Sequence, residues 1–540
     1  MATPRVRSVR LAVAAAGLAA LLAPATSQAA PTHPPLPAVP IPQRPGKATV
    51  EPFLGSPRPA RPIRGVDFAP QHPFMAANNR SNLHDDAYQS DAGTAPGPLG
   101  YSPKAISTMY AQECGSVTFD RRGRILTVCV GVVTVNLRLL DPRTLAVLAD
   151  YPLPPRSASS LASPFTSFGG GGYFYLDNRD RAVVPTSDGH IDVIAVSDSA
   201  GGPRLSSTRR YDVSPYVGDS PILSALPDWA GRLWFVSVSG VVGVVDRASG
   251  TVRAMKLPNG EGIGNSMAVD ETGGVFVVSD HALYRFDADS VGAPTVSWRK
   301  PYDAGVRKKP GQSQFGSGTT PTIIRRGSEH YVAITDNADP KMHVLVYRAD
   351  RRGPGSRPVC SQEVFAPGRG ATDNSLIAFG DALIVENNYG YTGPVKMPPS
   401  FTSLTRPTPT TEPGVTRIDV DYARGGCRIA WSNTQVRVPS SVSKVSAATG
   451  LVYVYEHPAA DEVRYTSGQP VTGPEDPWYL TALDARTGRR VWSTLVGSGL
   501  GYNNNYAPIT FGPDGTAYVG VLGGLVAVRD SAGPSAAGSR

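Results

Sequence analysis

The sequence predicts an all-β protein whose single large domain is a β-propeller of eight four-stranded blades, with seven blades as the alternative. The chain is rich in glycine and proline, which account for 57 and 51 of its 540 residues, yet 41% of it is apolar. From about residue 113 to residue 530, short apolar strands alternate with glycine-containing turns in units of similar pattern. Such units cannot bury both faces alone, so radial packing against neighbouring units is the arrangement that covers them.

The stretch 478–530 contains the clearest example of the repeating pattern. One apolar strand ends at Asp484, and a second strand, after a short turn, ends at Trp492. Two further strands then flank Gly523 and Gly524 in the last unit. Because this last unit ends with its third strand, we predict that a strand from residues 65–112 completes it and closes the ring.

Residues 1–29 have the composition of an export signal. Three arginines precede a short apolar segment, 11–23, and small residues surround a cleavage position after Ala29. The apolar segment is too short to span a bilayer comfortably, and no later apolar run is long enough for a transmembrane helix. We therefore expect a secreted, extracellular protein without a membrane span.

The rest of the chain divides by composition. Residues 30–64 are proline-rich and are predicted to be a disordered or extended linker. Residues 65–112 are polar but contain aromatic side chains, so we expect them to pack on the main domain. The propeller itself is predicted over 113–530, and a flexible tail over 531–540.

The charge of the chain is mild, with a formal net charge of +8. Its basic residues stand in scattered pairs without interleaved aromatic residues, which argues against a nucleic-acid partner. We expect a monomer whose partner is a small molecule, a glycan or an envelope protein.

Four cysteines suit an exported protein with two disulfides, for which three pairings are possible. Cys114 and Cys129 lie in two consecutive strands joined by one turn, so we favour their pairing. Cys360 and Cys427 then form the second bond, since each precedes a similar strand in successive units. No Cys-x-x-Cys motif occurs, which argues against a zinc or dithiol redox site.

The motif Leu483-Asp484-x-x-Thr487-Gly488-x-x-x-Trp492 resembles the PQQ-type repeat of the quinoprotein alcohol dehydrogenase-like superfamily. Degenerate versions begin at Asp141 and Asp246. The resemblance implies an eight-bladed propeller in which these motif residues hold the blades together. It also implies PQQ and calcium as possible cofactors, although the adjacent cysteines expected of quinone-dependent members are absent here. The superfamily also contains non-catalytic scaffold and ligand-binding propellers.

Polar clusters at strand ends supply the candidate site residues, because the loops at one mouth of a propeller usually carry its site. His84 is the best acid–base candidate, and Asp85 and Glu386 are further catalytic candidates that should share its mouth. Carboxylates suit calcium, which we expect at Asp336, Asp339 and Glu386 if it binds. The ligand-binding candidates are Asp336, Asn337, Asp339, Asn387, Asn388, Tyr389, Tyr502, Asn503, Asn504 and Asn505.

These clusters also have a simpler interpretation, since Asn and Asp stabilise their own turns. The sequence contains no nucleophile elbow, zinc-binding helix motif or Walker loop. We therefore favour a binding or scaffold module of the cell envelope or extracellular space. The alternative is an enzyme, most plausibly a quinone- and calcium-dependent dehydrogenase or another oxidoreductase that uses Asp, Glu and His at the channel mouth.

Overall fold

The structure is a computed structural model that describes residues 36–44, 49–157, 160, 165, 169–394, 408–466 and 476–533. The predicted export signal at 1–29 and most of the predicted tail lie outside the described residues.

The described chain is almost entirely β. Three strands precede the repeats: β1 (Phe53–Gly55), β2 (Ala92–Gly93) and β3 (Pro103–Met109). The first four blades are formed by β4 (Glu113–Phe119), β5 (Ile125–Val130), β6 (Val135–Leu140) and β7 (Val147–Leu153); β8 (Tyr175–Leu176), β9 (Ala182–Pro185), β10 (His190–Ser199) and β11 (Gly202–Asp212); β12 (Ile222–Pro227), β13 (Leu233–Ser237), β14 (Val241–Val245) and β15 (Val252–Lys256); and β16 (Ala268–Val269), β17 (Val275–Val278), β18 (Ala282–Ala288) and β19 (Pro294–Pro301).

The other four blades follow the same plan. They are formed by β20 (Thr322–Arg326), β21 (Glu329–Thr335), β22 (Met342–Arg348) and β23 (Cys360–Val364); β24 (Ile377–Phe379), β25 (Ala382–Glu386), β26 (Val415–Val420) and β27 (Cys427–Asn433); β28 (Lys444–Ser446), β29 (Leu451–Glu456), β30 (Pro477–Asp484) and β31 (Arg490–Ser498); and β32 (Ile509–Phe511), β33 (Ala517–Val521) and β34 (Gly524–Asp530). A single turn of helix, α1 (Ser214–Val217), and 3₁₀ turns at Pro258–Gly260 and Leu500–Tyr502 lie in the connections.

Each blade runs outward from the axis of the ring. First strands of neighbouring blades contact one another, as β12 contacts β16 and β16 contacts β20. The fourth strands are the most exposed, and β15 has no fully buried residue whereas β12 has only buried ones. Apolar side chains between adjacent blades form the core, for example Leu137 of β6 against the second blade and Val236 of β13 against the fourth. The predicted eight-bladed propeller is therefore confirmed.

The ring closes in the way that we predicted from the incomplete last unit. Strand β3 pairs antiparallel with β34 over seven residues, from Pro103 opposite Asp530 to Met109 opposite Gly524. Because β3 comes from residues 65–112, the outer strand of the eighth blade is N-terminal and its three inner strands are C-terminal. This pairing joins the two ends of the chain, so opening the ring requires breaking a full strand ladder.

The seventh sheet has six strands instead of the expected four. Strand β1 adds antiparallel to the outer edge of β31, and β2 adds in parallel to the inner strand β28. Strand β1 lies in the segment 30–64, which we predicted to be a disordered or extended linker. For residues 53–55 this prediction is wrong, because they form a strand of the seventh sheet. The physical reason is that Phe53 stacks on Trp492 at 6.5 Å between ring centroids, while its backbone satisfies the exposed edge of β31.

Residues 80–93, which we name the plug, cross the ring at the ends of the first strands. The plug accepts backbone hydrogen bonds from first strands around the ring, with Arg80 bonded to the first blade and Gly93 to residue 447 just beyond the first strand of the seventh blade. The donors and acceptors are Phe119 N–H to Arg80 O (3.2 Å), Leu176 to Ser81 (2.7 Å), Val269 to Ala87 (3.0 Å), Ile323 to Tyr88 (2.9 Å), Ala378 to Ser90 (2.8 Å), Val445 to Asp91 (3.0 Å) and Ala447 to Gly93 (2.8 Å). One end of the central channel is thereby closed by the chain itself.

Both predicted disulfides, Cys114–Cys129 and Cys360–Cys427, are present. The first ties β4 to β5 within one blade, and the second ties the outer strands of the fifth and sixth blades. Two disulfides indicate a location outside the cytoplasm. Among the described residues, none of the helices has the length and apolar character needed to cross a bilayer.

Candidate functional site

A cavity of about 570 Å³ occupies the end of the channel opposite the plug. It is bordered by residues at the starts of the first strands, such as Gly115 in the first blade and Pro508 before the eighth blade. Leu83 of the plug also borders the cavity, so the plug closes the channel beneath it. Met109 and Val132 line the cavity and are 42% and 66% exposed, which gives its entrance an apolar rim.

Glu113 and Arg156 lie on one wall of this cavity. Glu113 begins β4, and its Oε2 accepts a hydrogen bond of 3.2 Å from Asn505 Nδ2. Burial raises the pKa of Glu113 to about 8, against the opposing effects of Asn505 and the nearby Arg156 guanidinium. This wall therefore combines a carboxyl that tends to keep its proton with a buried cation.

Asp373 and Asn374 lie on another part of the wall, immediately before the sixth blade. Asp373 Oδ2 accepts a 2.6 Å hydrogen bond from the Ser313 N–H, and burial raises the pKa of Asp373 to about 7. Asn374 Nδ2 donates to Ser441 O at 2.7 Å and to Glu386 Oε1 at 3.3 Å. Within the described residues, Oδ1 of each side chain has no hydrogen-bond partner. Both oxygens are buried within the wall and are not exposed to the cavity.

His84, the acid–base candidate, is 2% exposed and lies in the plug. Its Nδ1 is 2.9 Å from Asp91 Oδ2 and 3.1 Å from Ser375 Oγ, which itself donates to the same Asp91 carboxylate. Since the serine and the aspartate meet the same ring nitrogen, the three groups do not form the serine–histidine–aspartate relay of a hydrolase. Their arrangement instead anchors the plug to the sixth blade.

Asp85, beside His84, pairs with a lysine that the sequence did not mark. Lys444 Nζ is 2.6 Å from Asp85 Oδ1 and 3.6 Å from Asp91 Oδ1, and it donates to Leu83 O at 2.7 Å. All of these groups are buried. The lysine supplies the positive charge that two buried carboxylates of the plug require.

Glu386 lies near this buried cluster, to which Asn374 and its neighbour Ser375 connect it. Its Oε1 accepts hydrogen bonds from Ser443 N–H at 3.1 Å and from Asn374, whose neighbour Ser375 bonds to His84. Burial raises the pKa of Glu386 to about 8, and the charge of Asp91 adds to this effect. Glu386 thus lies between the plug and the cavity wall.

The predicted cluster of Asp336, Asn337 and Asp339 is used by its own loops. Asp336 Oδ2 is 2.8 Å from His343 Nδ1, and Asp339 Oδ2 is 3.1 Å from an Arg307 nitrogen. Asn337 Nδ2 donates to two backbone carbonyls, at residues 304 and 307. Among the residues that line the described cavity, none belongs to this cluster. The turn-stabilising interpretation fits these three residues.

Asn387, Asn388 and Tyr389 lie behind the cavity wall. Asn388 Oδ1 accepts from Asp373 N–H at 2.9 Å, and Asn387 Oδ1 accepts from Ala371 N–H at 3.2 Å and from Tyr389 N–H at 3.1 Å. The two amides therefore fix the backbone of residues 371–373. Their effect on the cavity is to position Asp373.

The cluster Tyr502 to Asn505 contributes one residue to the cavity lining, Asn505. Tyr502 Oη donates to Ile41 O at 2.9 Å, Asn503 Nδ2 donates to Thr408 Oγ1 at 3.1 Å, and Asn504 Nδ2 donates to Gly520 O at 2.9 Å. These three bonds hold the connections around the eighth blade. Sequence reasoning missed Glu113 and Arg156. Glu113 could have been noticed as a lone charged residue at the start of a strand, whereas Arg156 lies in the connection after β7 and has no such signal.

The described residues do not bring the three calcium candidates together. Within them, there is no group of three or more His, Cys, Asp or Glu that could hold a metal ion. The calcium candidates Asp336, Asp339 and Glu386 have separate partners, as given above. All four cysteines are used in the two disulfides. We therefore derive no chemistry from PQQ or calcium.

The raised pKa of Glu386 predicts that stability falls as pH rises from about 5 to 8. Over this range the unfolded chain releases the proton while the folded chain keeps it, so the free energy of unfolding falls by up to about 1.4 kcal/mol per pH unit. Glu386→Gln removes this contribution and keeps the acceptor for Ser443. Urea denaturation at pH 5 and pH 8 should show the variant gaining stability relative to the unmodified protein at pH 8. An equal difference at both pH values would contradict the assignment.

Comparison with known proteins gives no family for the chain. No protein-family model matches it. An uncharacterized protein of Archaeoglobus fulgidus is 26% identical over 377 residues, which cover 66% of this chain and 69% of that protein. The PQQ-type resemblance therefore stays a prediction.

Several solved structures are similar at low identity. BamB from Moraxella catarrhalis is 15% identical, with a TM-score of 0.43 over 81% of this chain and 96% of that chain. Virginiamycin B lyase from Staphylococcus aureus is 10% identical, with a TM-score of 0.35 over 68% and 96% of the two chains. Sqt1 of Saccharomyces cerevisiae is 10% identical, with a TM-score of 0.35 over 65% and 93%. At these values the likeness carries no information about function.

Proposed function

We propose that this chain is a binding module of the cell envelope or extracellular space, which takes a small, mainly apolar molecule in the open end of its channel. The cavity of about 570 Å³ is the observation that carries the proposal. Its volume falls within the range of about 300–1,000 Å³ that is usual for small-molecule sites. Glycine and apolar residues line most of it, and a few buried polar groups could orient the ligand.

The shape of the channel supports the same function. Because the plug closes the opposite end, the cavity is a blind pocket with its entrance at the rim formed by Met109 and Val132. An exposed apolar rim around a cavity is typical of a binding site. This lining favours an apolar small molecule over a glycan, which would require hydroxyl-binding groups along most of its surface.

A binding role is also supported over the oxidoreductase alternative by the use of the candidate catalytic groups. His84 and Asp85 anchor the plug, and Glu386 holds the backbone of residue 443. Each of these side chains is 3% exposed or less. Their contacts serve the closure of the channel, which supports a binding role for the cavity rather than a catalytic one.

Gly115→Leu should test the proposal by filling the cavity. Gly115 lines the cavity, and a Cβ built on it meets nothing within 4 Å, so the leucine side chain would occupy ligand space without disturbing the strand. We expect the neutral dye Nile red to bind the full chain with increased fluorescence, and the variant to bind it at least about tenfold more weakly.

Gly533→Leu is the matched control, because its Cβ also meets nothing within 4 Å and it lies outside the cavity lining. This control should bind Nile red as the unmodified protein does. Binding that is absent from the unmodified protein, or equally strong in Gly115→Leu, would contradict the proposed function.

A further inference from the structure

Lys444 extends from the first strand of the seventh blade into the plug, where its side chain has no accessible surface. Its Nζ lies 2.6 Å from Asp85 Oδ1, 2.7 Å from Leu83 O and 3.6 Å from Asp91 Oδ1. The two aspartates are 3% and 0% exposed, so bulk solvent reaches none of these groups. A primary amine and two carboxyl groups are therefore enclosed together in the interior of the ring.

The backbone of the plug holds Asp85 against this lysine. Asp85 has a φ of 74°, in the left-handed region that residues other than glycine adopt infrequently. Its N–H donates to Asn82 O at 3.3 Å, and its carbonyl accepts from the Asn79 N–H at 2.8 Å, so hydrogen bonds fix the turn on both sides. Such conformations persist where the surroundings determine them, and they are concentrated at functional sites. The turn keeps the Asp85 carboxyl in contact with Lys444.

The contact between Lys444 and Asp85 has the geometry of two groups that can react. A hydrogen bond of 2.6 Å to Oδ1 places Nζ at about 3–3.5 Å from Asp85 Cγ, the separation of a near-attack conformer. Because burial penalises charged groups, transfer of a proton from the ammonium to the carboxyl costs less free energy here than in water. Burial also raises the pKa of Asp85, against the opposing charge of Lys444. A neutral amine is nucleophilic, and a neutral carboxylic acid is open to its attack.

Asp91 supplies the third group that such a reaction needs. Its Oδ1, 3.6 Å from Lys444 Nζ, is placed to accept a proton from the nitrogen. Its Oδ2 is 2.9 Å from His84 Nδ1 and accepts a hydrogen bond from the Ser375 hydroxyl. These two side chains fix the carboxyl of Asp91 beside the amine.

We propose that Lys444 and Asp85 join in an intramolecular isopeptide bond, with Asp91 as the group that transfers the proton. Lys444 Nζ attacks Asp85 Cγ, the C–N bond forms, and Asp91 accepts a proton from the nitrogen. Asp91 then returns this proton to the hydroxyl of the Asp85 carboxyl, the C–O bond breaks, and one water leaves. An amine and a carboxylic acid thus become an amide and water, so the reaction needs no further reactant. The ion pair in the structure is the state that precedes the bond.

The bond would tie the plug covalently to the seventh blade, between residues that are 359 positions apart. A cross-link across so long a loop restricts the unfolded chain, as a disulfide does, but an amide also persists under reducing conditions. Lys444→Met removes the ion pair and the amide together, so its loss of stability includes both. The inference does not depend on ligand binding in the cavity.

Mass spectrometry of the purified full chain tests the bond directly. After reduction of the disulfides, we expect a mass about 18 Da, or one water, below that calculated from the sequence of the purified chain. A tryptic digest should contain peptide 81–104 joined to peptide 438–464, because trypsin does not cleave after an acylated lysine. Asp91→Asn should lower the amount of joined peptide at least about tenfold, since it removes the proton acceptor.

Asp86→Asn is the matched control for Asp91→Asn. Asp86 is a buried carboxyl of the same segment, but it accepts hydrogen bonds from the Tyr88 N–H at 2.9 Å and the Ser90 hydroxyl at 2.5 Å. This variant should retain the joined peptide. Lys444→Met removes the nucleophile and should have the full calculated mass. Thermal denaturation of each variant shows whether a missing bond reflects a loss of folding.

The mass of the unmodified protein decides the outcome even where a variant does not fold. The full calculated mass, with separate peptides 81–104 and 438–444, would show that Lys444 and Asp85 form an ion pair only, and the proposal would be overturned. Loss of one water without the joined peptide would indicate a cyclic imide of a single aspartate, which overturns it as well. Full joining in Asp91→Asn would refute the role of Asp91.

Discussion

Lys444→Met is expected to lower the free energy of unfolding by about 3–5 kcal/mol, because it leaves buried carboxylates without a counter-charge. The ammonium of Lys444 is fully buried between Asp85 and Asp91, at 2.6 Å and 3.6 Å from their nearest oxygens. Methionine keeps the length of the side chain, so the loss measures charge and hydrogen bonding more than packing. Urea denaturation monitored by far-UV circular dichroism measures this change in the free energy of unfolding.

A compensating variant distinguishes this mechanism from a general disturbance. Adding Asp85→Asn to Lys444→Met removes one of the two stranded charges and should recover part of the lost stability. Lys341→Met serves as the control, since Lys341 forms an exposed pair with Glu363 and should leave the urea midpoint unchanged. A loss below about 1 kcal/mol for Lys444→Met would mean that the plug does not depend on this pair.

Loss of the plug should also affect the cavity. Lys444 donates to the carbonyl of Leu83, and Leu83 borders the cavity. We therefore expect Lys444→Met to weaken Nile red binding as well as stability. The floor of the cavity and the closure of the channel are one structural element.

Trp492→Ala is the second substitution with a large expected effect, about 3–5 kcal/mol of lost stability. The indole is fully buried in β31, stacked on Phe53 at 6.5 Å and edge-on to Tyr453 at 6.1 Å. A Cβ on Gly100 would lie 2.7 Å from its Cδ1, so the chain leading into β3 passes directly over the ring. Removing the indole leaves a cavity under both N-terminal segments that join the seventh and eighth blades.

The expected result is a less stable protein whose N-terminal segments become sensitive to proteolysis before the rest of the ring. Urea denaturation and limited trypsin digestion of the full chain measure the two effects. Tyr216→Ala is a suitable control, because that aromatic side chain is 45% exposed and lies away from the closure. If Trp492→Ala loses stability without earlier cleavage ahead of residue 112, the tryptophan supports its own blade but not the closure.

The elements that the sequence predicted correctly are those encoded over short distances. Alternating apolar strands and glycine turns indicated the blades, and the missing strand of the last unit indicated that residues 65–112 close the ring. The disulfide Cys114–Cys129 was accessible for the same reason, since one hairpin contains both cysteines. Asp and Asn at strand ends were recognised as polar clusters, but most of them stabilise loops, as short side chains with local backbone partners do.

The candidate site could not be predicted in the same way because its residues are distant in sequence. Glu113 and Arg156 come from the first blade and the connection after it, whereas Asp373 precedes the sixth blade, and the three line one cavity only after the blades are packed. In the sequence Lys444 is an ordinary residue at the start of a strand. Its two carboxylate partners belong to the plug, which is more than 350 residues away in sequence.

The sequence by itself therefore determined the architecture of eight blades and their closure by an N-terminal strand, which follow from local periodicity and from a repeat that lacks one strand. It also indicated the two disulfides, one from a single hairpin and the other from the equivalent positions of Cys360 and Cys427 in successive units. Only the tertiary structure decided which charged residues line the cavity, which lysine pairs with the carboxylates of the plug and that residues 53–55 join a sheet. The physical reason is that burial and electrostatic pairing depend on contacts between distant segments, which no local pattern of residues encodes.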